Sequence, residues 1–126
     1  MSTSGTNPEE SELALQSARD LAALSAHEIL LSNIVDLMTA AAVKIGLYEG
    51  GDEVRDLADA RMLIDALAGL IDGAAAHLGS QHAAPLRDGL QQLQEAFAEY
   101  SPVPDPIGEG PGEQYRGSRR RRPRAG

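Results

Sequence analysis

Three sets of side chains in this 126-residue chain carry groups that do chemistry: histidines, paired carboxylates and a run of arginines. The histidines are His27, His77 and His82. Two imidazoles on one helix grip a metal ion when they stand four residues apart, on one face. His77 and His82 stand five apart, and with no cysteine in the chain no thiolate can complete a site. They read as ordinary cap and loop residues. Among the carboxylates, Asp65 and Asp72 share one helical stripe with Arg61. General acid–base work would need a pocket that desolvates one of them, and nothing in the sequence locates one. No GxSxG elbow, Walker loop or HExxH is present, and GEGPGE follows no strand. The expectation is a non-enzyme with no catalytic residue, no cofactor and no metal.

The arginines are Arg116, Arg119, Arg120, Arg121, Arg122 and Arg124, in YRGSRRRRPRAG. A guanidinium pairs with a phosphate through a planar two-pronged fork. The run can therefore hold RNA, a ribosomal surface or anionic lipid. Only Tyr115 stands near enough to stack on a base, which argues against sequence-specific RNA reading. The bland alternatives are a solubilising tail, or one that folds back on the chain's own acids. Residues 1–115 hold five Lys or Arg against nineteen Asp or Glu, a balance of −14, whereas residues 116–126 hold six Arg and no acid; the net charge is −8. The body should repel nucleic acid and anionic membranes while the last eleven residues attract both.

What positions these groups is helical throughout. Aromatic residues make up 3% of the chain, with no Trp and the single Phe97, so the core must come from Leu, Ile, Val and Ala. Residues 1–19 are polar and small and read as a flexible segment, although Asn7-Pro8-Glu9-Glu10 can cap a helix. From residue 20 to residue 100 the signals are those of a helical domain. Ser25-Ala26-His27-Glu28 matches a capping box and Gly46 a left-handed stop, giving a helix about 30 Å long. Asp56 caps a second helix that runs to Leu78 and stops at Gly79. A third begins around Pro85 and carries Leu86, Leu90, Leu93, Phe97 and Tyr100 on a narrow seam. Residues 101–126 are rich in Pro and Gly and then Arg, and a packed core there is not expected. The fold class is all-α: a small three-helix bundle, or a helical hairpin plus a third helix, with disordered tails at both ends.

Nine apolar side chains of the first helix, from Leu30 to Ile45, fall in one arc of about 160°. Two helices with wide apolar arcs and one with a narrow seam do not close on themselves, so a second copy is the expected cover. The expected interface holds Leu30, Leu31, Ile34, Leu37, Met38 and Ala41. Ala66, Gly69 and Gly73 offer a small-residue face for a close helix–helix contact, or are glycines tolerated on an exposed surface. Lipid is the competing cover, but Asp36 sits mid-helix, where insertion costs about 2.5–3.5 kcal/mol, so no membrane span is expected. The first twenty residues carry four acids and no apolar run, so no leader is expected and a cytoplasmic location follows by default.

The runs AAPLRDGLQQLQEAF, RMLIDALAGL and VPDPIGEGPGEQYRG resemble an actinobacterial family known as domain of unknown function 1844. The resemblance covers roughly Asp20 to Gly117, and Gly112-Glu113-Gln114-Tyr115 is its most specific part. It implies a small cytoplasmic helical protein without assigned activity. Genes of that family often neighbour those of a translation initiation factor and ribosomal proteins, which implies a link to translation. The family commonly has Pro where this chain has Ser25, and the arginines from Arg119 lie past the shared pattern. The expected function is a self-associating interaction module, a homodimer; the alternative is a ribosome- or RNA-associated factor tethered by its arginines.

Overall fold

The structure is a computed structural model, and it describes residues 7–115. Every regular element among them is helical: α1 Pro8–Ala22, α2 Ala26–Ile45, α3 Gly51–Val54, α4 Leu57–Leu78 and α5 Ser80–Tyr100. The protein is all-α. Residues 1–6 and 116–126 lie outside the described residues, and with them the six arginines. The chain divides after Ser32, within α2, into two compact units.

In the first unit, α1 forms where residues 1–19 read as loose, because its N-terminus is well capped. Asn7 Oδ1 accepts from the Glu10 amide at 2.7 Å, and Pro8 occupies the first turn, where a missing N–H costs nothing. Glu9 and Glu10 stand at the positive end of the helix and Arg19 near the negative end. No residue of α1 is buried. The capping box at the start of α2 is reciprocal as expected. Ser25 Oγ accepts from the Glu28 amide at 3.1 Å, and Glu28 Oε1 accepts from the Ser25 amide at 2.8 Å.

The second unit opens with the rest of α2, which ends at Gly46 as the sequence predicts. Gly46 (φ 96°) donates to Val43 O and Leu47 to Ala42 O, so the last carbonyls of α2 are satisfied. Arg55 Nε gives 2.8 Å to Ile45 O while its guanidinium lies over the Tyr100 ring, 4.2 Å from the centroid. That one side chain ties the end of α2 to the end of α5. Asp56 caps α4 through the Asp59 amide at 3.0 Å.

The core is apolar. It is built from Ile34, Ala41 and Ile45 of α2, Ala60, Ile64, Leu67, Ala68, Ile71, Ala74 and Leu78 of α4, and Ala83, Leu86, Leu93 and Phe97 of α5, all buried. α4 and α5 form a hairpin with only Gly79 between them. α5 begins at Ser80, five residues before the predicted start, and Pro85 sits inside it. The amides of His82 and Ala83 already turn onto Gly79 O, and Ala83 is buried, so packing carries the helix through the proline.

The largest departure from expectation is at residues 101–115. Expected to lie outside any packed core, they run as a strap along the α4–α5 hairpin and bury Pro111 and Gly112. Composition speaks for an extended, solvated chain, but here the hairpin's own side chains satisfy the strap's backbone.

Candidate interaction surfaces

The strap is held by the charged stripe of α4 that Arg61, Asp65 and Asp72 define. Arg61 Nη2 reaches both oxygens of Asp105, at 2.8 and 2.9 Å, and its guanidinium lies over the Phe97 ring. Asp65 Oδ1 accepts from the Gly112 amide at 2.6 Å. From α5, Gln94 Nε2 donates to Pro111 O at 2.9 Å. Helix α4 thus supplies the acceptor, α5 the donor, and the strap's backbone lies between them. Gly112 adopts φ 77°, and a Cβ there would stand 3.0 Å from Ala68 Cβ and from Gln94 Nε2. Only glycine meets both demands.

Beyond Gly112 the chain turns helical at residues 113–115, and Tyr115 settles against Gly69. A Cβ on Gly69 would meet the Tyr115 hydroxyl oxygen at 2.9 Å. Gly69 therefore does make a close contact, with this chain's own tyrosine. Gly73 faces open space, and Ala66 and Gly73 are exposed.

Two clefts flank the strap. One, of about 320 Å³, is lined mainly by Phe97, Ala98, Pro104, Pro106, Ile107 and Pro111. The other, of about 360 Å³, lies past Tyr115 between Ile71 and Asp72 of α4 and Arg87, Asp88 and Gln91 of α5. In it, Arg87 Nη2 is buried with no hydrogen-bond partner among the described residues. Such orphaned donors are rare in folded proteins.

The expected interface on α2 divides. Ile34 and Ala41 are fully buried within the single chain, so in this conformation they present nothing to a second copy. Leu30, Leu31, Leu37 and Met38 are half-buried, and Met38 covers Gly89 of α5. Val35 is 52% exposed. On α1, Leu13, Leu15 and Leu21 are more than half exposed.

His77 and His82 are exposed, and among the described residues no group of three His, Asp or Glu could hold a metal ion. No described helix is long and apolar enough to cross a membrane. Arg116, Arg119, Arg120, Arg121, Arg122 and Arg124 lie outside the described residues.

Sequence reasoning missed Asp105, Gln94, Gly112 and Tyr115 as partners of α4. One signal was present: a charged stripe on a helix whose flanks are otherwise apolar marks the place where another segment's polar groups must be met.

No curated protein and no solved structure matched the chain. The sequence model of the family described as Domain of unknown function (DUF1844) matches residues 28–99, which takes in all but the first two residues of α2, all of α3 and α4, and α5 except its last residue. The strap, residues 101–115, lies beyond the matched residues. This chain belongs to the DUF1844 family.

Proposed function

We propose that the protein is a non-enzymatic, cytoplasmic interaction module that self-associates, a second copy covering α1. The observation that carries the reading is the exposure of α1. A 15-residue helix is marginal in water on its own, and most helical stability comes from packing an apolar face. Here Leu13 is 70% exposed and no residue of the helix is buried. In the second unit, Val35 of α2 is 52% exposed. Light scattering at micromolar concentration is expected to give a dimer mass, and Leu13→Glu with Leu21→Glu a monomer. A monomer mass for the unaltered chain, or a dimer indifferent to both substitutions, overturns the reading.

A second reading is favoured by the charge split, −14 over residues 1–115 and +6 over the last eleven. The six arginines then hold RNA or the ribosome through phosphates. Binding is expected to weaken steeply with salt and to vanish on deleting residues 118–126. Binding that survives the deletion excludes it.

A further inference from the structure

The cleft of about 320 Å³ between α5 and the strap has apolar, stiff walls and charge of one sign. Phe97 and Ala98 form its α5 side, and Pro104, Pro106, Ile107 and Pro111 its strap side. Three of these four strap residues are prolines, whose rings fix φ, so this wall resists collapse into the space beside it. It is also fastened at both ends, by Arg61 to Asp105 and by Gln94 to Pro111 O. Ile107 is fully exposed and Val103 is 74% exposed, more than any other large apolar residue described. Single outward aliphatics are ordinary. These two border an apolar cleft, on a strap that needs neither of them to hold the hairpin.

Among the described residues the charged groups lining the cleft are Asp105 and Glu113, and no Lys or Arg lines it. Glu109 stands exposed between Gly108 and Gly110, which also line it. Arg61 offsets Asp105, but neither Glu109 nor Glu113 is in an ion pair among the described residues. Glu113 Oε1 accepts from the Gly110 amide at 3.1 Å, which holds its carboxylate beside the cleft. We infer that the cleft docks a basic peptide segment of a partner protein. One aliphatic side chain enters between Phe97 and the prolines, and Lys or Arg residues beside it meet Glu109 and Glu113. The volume lies at the small end for binding sites, about 300–1,000 Å³, which suits a single anchoring side chain. The acids attract a cation and repel phosphate, so a nucleic acid is not the occupant. Nor does this chain supply one. Residues 116–126 hold six Arg but no Leu, Ile, Val, Met or aromatic residue, and the five bases of residues 1–115 stand singly. They offer charge without an anchor. The cleft lies in the second unit and needs no second copy, so a monomeric protein still has it.

A dye-labelled pentapeptide, Lys-Arg-Leu-Arg-Lys, titrated with the full-length protein and read by fluorescence anisotropy, tests this. Replacing its Leu by Ser is expected to weaken binding about tenfold, the factor that corresponds to about 1.4 kcal/mol, within what burying a leucine contributes. Ile107→Ser and Glu109→Lys in the protein should each weaken it by about the same factor. Both positions are exposed, so neither change touches the core, and unchanged thermal melts check this. Leu13→Ser, an exposed change on α1, should leave binding as it was. No binding at about 1 mM peptide overturns the inference. Equal binding of the Leu and Ser peptides does so too, since the protein then reads charge alone. So does binding indifferent to Ile107→Ser, which places the peptide elsewhere. Binding that emerges only once residues 118–126 are deleted gives the cleft to the chain's own arginines, and likewise overturns it.

Discussion

Two glycines on facing sides of the strap show how one residue type serves opposite ends. Gly112 combines φ 77° with contacts that a Cβ would crowd, whereas Gly73 sits within α4 facing open space. Gly112→Ala should destabilise the protein by about 1–3 kcal/mol, from left-handed strain and displacement of the Ala68 contact. Gly73→Ala should stabilise it by up to about 1 kcal/mol, the helix propensity that glycine forgoes. Thermal melts of the two variants are expected to move in opposite directions. A shared direction would mean that Gly73 is covered in solution, which is what the small-residue face suggested from sequence. Gly69 is the informative third case, because there an added methyl gains propensity but displaces the Tyr115 ring.

At the scale of elements, legibility followed sequence distance. The caps of α2 and α4 could be read because their partners are three residues apart, Ser25 with Glu28 and Asp56 with Asp59. The strap could not be read, because Arg61 finds Asp105 across 44 residues and Asp65 finds Gly112 across 47. Proline and glycine content reports what a segment does when nothing meets its backbone. It does not report that Gln94 and Asp65 will meet it. The Arg61–Asp105 pair is only partly buried, at 38% and 26% side-chain exposure, so solvent screening limits its worth to about 1 kcal/mol. Arg61→Ala or Asp105→Asn should therefore loosen the strap without unfolding the hairpin, seen as faster hydrogen exchange at the Gly112 amide with α4 core amides unchanged. The start of α5 was misplaced for a related reason. Local signals make Pro85 the opening residue, yet Ala83 is buried before it. Pro85→Ala restores the amide that Gln81 O can accept and should raise stability by about 1–2 kcal/mol in a denaturant titration, less than the full cost of an interior proline because the unfolded chain also gains freedom.

For the whole molecule, the arc read from Leu30 to Ile45 exceeded what one face of α2 needs to bury. The structure covers its centre at Ile34 and Ala41 and leaves Val35 half exposed. Which part of an arc is covered depends on where the other helices lie, and periodicity alone carries no such information. If a second copy covers the remaining surface, melting temperature should rise with protein concentration. It should stop doing so in the Leu13→Glu, Leu21→Glu variant, where the midpoint would be the same at any dilution.

The strap also separates two lengths that are easily taken as one. The family model matches residues 28–99, yet the hydrogen bonds that fasten the strap to the α4–α5 hairpin involve residues 105–112. A fragment trimmed to residues 28–99 strips the strap from Ile64 and Ala68 and removes the Gly112 amide from Asp65 and the Pro111 carbonyl from Gln94. It should melt earlier and bind apolar dyes, so a boundary drawn by likeness falls short of the stretch that must be made for the protein to hold its shape.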